Sequence, residues 1–92
     1  MTELEERLAM AVRNSLNLPD LEVSVRPFHG SWRFRLHKAG ACSDWLELDA
    51  ESVGVMEQIG LLPALHLGTF RVAYAALRRA TEGTDRKSEP IT

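Results

Sequence analysis

Cys42 is the chain's one thiol, and His37 lies close to it across a tight turn at Ala39-Gly40-Ala41. A thiol beside an imidazole is the smallest arrangement that makes a thiolate nucleophile. Strand alternation argues against that role here. Cys42 shares parity with Leu46 and Leu48, which places it on the apolar face, where a free Cys behaves as an inert small hydrophobe. His29, His37 and His66 are predicted in a loop, on a strand and near a helix start. None is spaced with a second ligand as metal motifs require, and the glycines form no phosphate loop after a strand. No catalytic residue, cofactor or metal is expected, and the reading is non-enzymatic.

The chemistry of recognition is better represented. In Ser31-Trp32-Arg33-Phe34-Arg35-Leu36-His37, apolar residues alternate with Arg33, Arg35 and His37. Period-two alternation marks a strand with one buried face. Leu21, Val23 and Val25 upstream, and Leu46 and Leu48 downstream, follow the same rule, so three antiparallel strands are predicted. Setting Val25 opposite Trp32 and Val23 opposite Phe34 leaves a four-residue loop over 27–30. Setting Phe34 opposite Leu46 leaves the three-residue loop Ala39-Gly40-Ala41. A two-residue turn at Ala39-Gly40 would turn Leu46 and Leu48 outward, because a slip of one flips every side chain.

That register aligns Glu22, Arg35 and Trp45 in one row of the outer face, and Ser24, Arg33 and Glu47 in the next. Arg35 then lies between a carboxylate and an indole, the setting for an ion pair and a cation–π contact. A Trp flanked by Arg is the composition of an interface hot spot. Two other arrangements remain open: a solvated face with paired charges, or a face covered by a later helix.

The elements that position these residues are legible at their ends. Thr2-Glu3-Leu4-Glu5 has the form of a capping box and starts a helix with Leu4, Leu8, Ala11, Val12 and Ser15 on one stripe. Asn17 and Pro19 stop it. Asp49 is a natural N-cap for a helix from Ala50 to about Ile59, with Val53, Met56 and Ile59 apolar and Gly60 as its stop. After Pro63 a last helix runs to about Thr81, starting at Pro63 or at Thr69. Leu65, Thr69, Val72, Ala73, Ala76, Leu77 and Ala80 form its broad stripe, extended by Phe70 and Tyr74, and Arg71, Arg78 and Arg79 lie on the opposite side. The fold class is α+β in the order α-β-β-β-α-α, as one domain over 1–82 with a flexible tail over 83–92.

Composition sets the outer bounds. Ninety-two residues make one domain, with an ordinary 45% apolar and 26% charged content and a net charge of -2. A negative balance argues against a dedicated nucleic-acid binder. The single Cys fits a reducing compartment. No apolar run approaches the roughly 20 residues of a spanning helix, and the acidic start is unlike a signal peptide. A cytoplasmic, membrane-free protein is expected.

The order helix, three-stranded meander, C-terminal helix resembles the double-stranded-RNA-binding domain in topology. That resemblance implies RNA binding, and its counterpart of the family's lysine-rich phosphate clamp, Gly68-Thr69-Phe70-Arg71-Val72, offers only Arg71. The first half, Leu16 to Asp49, has the general look of small acidic secretion chaperones. The leading expectation is a protein–protein interaction module: an adaptor, a chaperone-like subunit, or a phage-type inhibitor of a larger complex. Its partner is another protein, engaged through Arg33, Arg35, Trp45, Glu47 and Glu22, through Arg71, Arg78 and Arg79, or through a free sheet edge that also admits a homodimer. RNA binding through Arg26, Arg33, Arg35, Lys38, Arg71, Arg78 and Arg79 is the competing class.

Overall fold

The computed structural model describes residues 2–88, and the side chains of residues 2–82. Helix α1 (Glu3–Leu16) opens with the expected capping box: the Glu5 amide donates to Thr2 Oγ1 at 3.2 Å, and the Thr2 amide donates to Glu5 Oε1 at 2.8 Å. It closes at Asn17, which adopts a left-handed conformation (φ 59°). Leu8, Ala9, Ala11 and Val12 are its buried face.

Strands β1 (Glu22–Phe28) and β2 (Ser31–Lys38) follow, and the third strand is divided into β3 (Ala41–Cys42) and β4 (Leu46–Asp49). All pairings with β2 are antiparallel. The first hairpin is tighter than expected. Val25 pairs with Phe34 and Val23 with Leu36, so the register differs by two residues and every side chain keeps its face. The turn is His29-Gly30, both at positive φ (47° and 82°), as a type I′ turn requires. Pro27 permits the longer strand. With Phe28 and Ser31 flanking the turn, Pro27 and Trp32 form a non-hydrogen-bonded pair, so the missing amide faces the free edge.

The second hairpin combines the two alternatives weighed from sequence. Ala39-Gly40 is a two-residue turn (φ 50° and 81°), pairing Lys38 with Ala41 and His37 with Cys42. Yet Phe34 still pairs with Leu46 and Trp32 with Leu48. One extra residue is absorbed between Cys42 and Leu46 as a bulge. The Ser43 amide donates to the Leu36 carbonyl at 2.8 Å, and the Leu36 amide donates to Ser43 Oγ at 3.0 Å. The bulge reverses parity between β3 and β4. Cys42 is consequently exposed opposite His37 on the outer face, not buried beside Leu46 and Leu48.

The three helices among the described residues pack on one face of the sheet, over Val23, Val25, Phe34, Leu36 and Leu48. Phe34 is fully buried and meets Phe70 edge to face, 5.7 Å between centroids. Helix α2 (Ala50–Ile59) is capped by Asp49, which accepts from the Ser52 amide, and ends at left-handed Gly60. It buries Val53 and Met56, whereas Ile59, expected on the same face, is exposed. In the connector to the last helix, the Leu62 amide donates to Ser15 Oγ at 2.6 Å.

Helix α3 (Ala64–Ser88) starts right after Pro63, runs through Gly68 and passes Thr81, where it was expected to stop. Its backbone therefore covers part of the predicted tail, and residues 89–92 of that tail lie outside the described residues. The predicted stripe divides. Phe70 and Leu77 are buried with Leu67, Ala73 and Tyr74 packed beside them, while Leu65 and Val72 are 84% and 68% exposed. At 100° per residue, Leu65 and Val72 stand about 140–160° round from Phe70, so no single packed face holds all of them. The α+β class and the order α-β-β-β-α-α are as expected.

Candidate functional site

The sheet face turned away from the helices carries the recognition residues. On β1 these are Ser24, Arg26 and Phe28, and on β2 Arg33, Arg35 and His37. Trp45 follows from the bulge and Glu47 from β4. The ladder places Ser24 opposite Arg35, Arg26 opposite Arg33 with Glu47 beyond it, and Glu22 opposite His37 with Cys42 beyond it.

Trp45 is half-buried beneath arginines. The guanidinium carbon of Arg35 is 4.8 Å from the indole centroid and that of Arg26 is 5.2 Å away, both within cation–π range. Arg35 Nε also donates to the Ser43 carbonyl at 2.8 Å, so the bulge that delivers Trp45 fixes the arginine against it. One row on, Arg33 Nε donates to Glu47 Oε1 at 3.3 Å while its guanidinium carbon lies 3.4 Å from the Phe28 ring centroid. Ser24 Oγ and His37 Nε2 are hydrogen-bonded at 2.7 Å.

The electrostatics of this face are unbalanced. Arg26 and Arg33 are direct cross-strand partners, and like charges in that position destabilise a sheet. Glu47 compensates Arg33. Among the described residues Arg26 has no carboxylate partner; its contact is the indole. Beside it lies an open depression of about 520 Å³ lined by Glu5, Ser24, Arg26, Arg35, His37 and Trp45. Glu5 is held in the capping box, and the Thr2 amide keeps its carboxyl below the usual range.

Of the residues predicted from sequence, Arg33 meets Glu47 and Arg35 meets Trp45. Glu22 does not meet Arg35: the two-residue change of register sets it opposite His37 and brings Ser24 opposite Arg35 instead. Arg71, Arg78 and Arg79 lie on α3, which packs on the other face of the sheet. Arg78 pairs with Glu82 at 3.1 Å, and Arg71 and Arg79 are exposed. Sequence reasoning left Phe28 out of this face because it opened the hairpin loop at Pro27, and its register set Arg26 opposite Ser31, away from Arg33.

Two other clusters bring hydroxyls to imidazoles. Ser52 Oγ donates to Asp49 Oδ1 at 2.6 Å and lies 3.0 Å from His66 Nε2. The serine proton is thus committed to the carboxylate, whose pKa is lowered chiefly by that bond, and the arrangement serves the N-cap of α2. Across the second turn His37 faces Cys42, but its Nε2 is already bonded to Ser24. Among the described residues no group of three His, Cys, Asp or Glu could hold a metal ion, and no single helix is long and apolar enough to cross a membrane. A second cleft of about 500 Å³ lies between the α1–β1 connection and the Ala39-Gly40 turn, with Leu18, Leu21, Lys38 and Tyr74 in its walls.

No protein-family model matches this chain, nor does any curated protein or solved structure.

Proposed function

We propose that the chain is a small non-enzymatic protein–protein interaction module, acting as an adaptor, a chaperone-like subunit or an inhibitor of a larger complex. It engages its partner through the open sheet face centred on Trp45. The observation that carries this reading is Trp45 packed against both Arg26 and Arg35 on the face opposite the one on which the helices of the described residues pack. Stacking holds these side chains in place before contact, so less conformational entropy is lost on binding. Trp and Arg are also the residues most enriched among hot spots.

The sheet edges supply a second element. Pro27 interrupts the free edge of β1 for strand addition, whereas β4 presents the outward backbone groups of Glu47 and Asp49 to a partner strand or to a second copy of the chain. Nucleic-acid binding ranks below this reading. Glu5 and Glu47 stand beside the arginines, and a polyphosphate needs a continuous basic track. The test compares stability with affinity: Trp45→Ala retains the fold and loses the partner. A Trp45→Ala protein that binds as well as the parent overturns the proposal.

A further inference from the structure

We infer that the depression beside Trp45 is a carboxylate seat, with Arg26 as its primary cation, that takes one acidic side chain of the protein partner. This rests on the interface reading above and specifies its chemistry.

The argument begins with a charge that the fold itself does not need. Alternation requires only a polar residue at position 26, and a neutral one would avoid facing Arg33 across the ladder. Arg33 is answered by Glu47, and Arg35 spends its Nε on the Ser43 carbonyl. The Arg26 side chain makes neither a hydrogen bond nor an ion pair with any described residue, so its planar fork of donors is open to a bidentate partner. The indole orients that fork and shields one side of it from water, which strengthens a charge-assisted bond made there. Ser24 and His37 add a hydroxyl and an imidazole to the same wall.

The depression holds more than a bare ion. About 520 Å³ accommodates a side chain with its adjoining backbone. The surrounding charges choose between anions. Glu5 lies in the same depression and Glu47 in the adjoining row, so a single carboxylate on a segment of mixed charge fits, whereas a chain of phosphates meets repulsion at each side.

The test is an NMR titration of the full chain, following arginine Nε–H and tryptophan indole N–H signals. The probes are N-acetyl-glutamate amide, its glutamine counterpart, and a single-stranded oligouridylate. The carboxylate probe is expected to give saturable shifts concentrated at Arg26, Arg35 and Trp45, with none from the glutamine probe. Arg26→Gln should weaken probe binding at least about tenfold while the melting temperature stays level or rises, because the opposition to Arg33 is removed. A purely structural arginine would show the reverse pattern. Shifts of equal size at Arg71 and Arg79, no shift at Arg26, or tighter binding of the oligouridylate at these residues each overturn the inference. The interface reading then still stands or falls on Trp45→Ala and partner binding.

Discussion

The Ser43 hydroxyl accepts the Leu36 amide at 3.0 Å while the Ser43 amide donates to the Leu36 carbonyl at 2.8 Å. One residue thereby supplies both halves of a ladder pair, one half through its side chain. This lets the third strand gain a residue without orphaning a backbone donor, and it sets the position of Trp45. Ser43→Ala should leave the Leu36 amide unpaired next to the core, at about 1–3 kcal/mol. Urea unfolding measures the loss, and the Trp45 indole signal should move with it. A variant as stable as the parent would remove the bulge from its structural role.

Phe34 has no solvent exposure and meets both the Phe70 ring and the inward residues of β1. Phe34→Ala should cost about 3–5 kcal/mol, a large part of the ~5–15 kcal/mol that holds a typical domain. Parent-like thermal unfolding of this variant would show that the wrong face has been placed inside.

Ala39 occupies the first central position of a type I′ turn at φ 50°, where its Cβ crowds the following carbonyl. Asn tolerates that conformation far better, and Asn-Gly is the preferred pair for this turn. Ala39→Asn should therefore raise stability by about 1 kcal/mol. Thermal unfolding reads the gain, and no gain would mean the turn is relaxed in solution.

Much of the fold was legible because its signals are local and redundant. The capping box at Thr2-Glu5, the Asp49 N-cap and the Gly60 stop each depend on a few neighbouring residues, and all three are observed. Face parity of β1 and β2 was equally clear from alternation. Register was not, since a shift of two preserves parity; only the placement of Pro27 on a free edge distinguishes the two hairpins. The bulge at Ser43 escaped for a different reason. Alternation assumes an unbroken pleat, so Cys42 was assigned to the face of Leu46 when one inserted residue sends it to the other. The last helix has apolar residues nearly all the way round, and periodicity alone could not choose Phe70 and Leu77 over Leu65 and Val72. At the site, Arg33 with Glu47 and Arg35 with Trp45 followed from the second hairpin's register, while the first hairpin's register set Arg26 opposite Ser31 instead of Arg33.

Acid should loosen the two capped helices together. The Thr2 amide lowers the pKa of Glu5, and the Ser52 hydroxyl lowers that of Asp49. A depressed folded value means the unfolded chain binds the proton first as pH falls. The contribution of each carboxylate is thus complete above its unfolded value, about pH 4, and is lost as pH drops from there through the lower folded one. Asp49→Asn keeps a capping oxygen but cannot titrate, so its stability should fall less steeply below that pH than the parent's. Identical acid profiles would show that Asp49 does not contribute.

The central claim is that Trp45 anchors a partner and does not hold the fold together. Its most direct test is a quantitative capture from the source cells with the parent and Trp45→Ala side by side, each first checked by circular dichroism and thermal unfolding. The account predicts two folded proteins of near-equal stability, with one partner retained by the parent and weakened by at least about 30-fold in the variant, the equivalent of a ~2 kcal/mol hot spot. Equal retention of every partner by two folded proteins, or collapse of the Trp45→Ala fold, would contradict it.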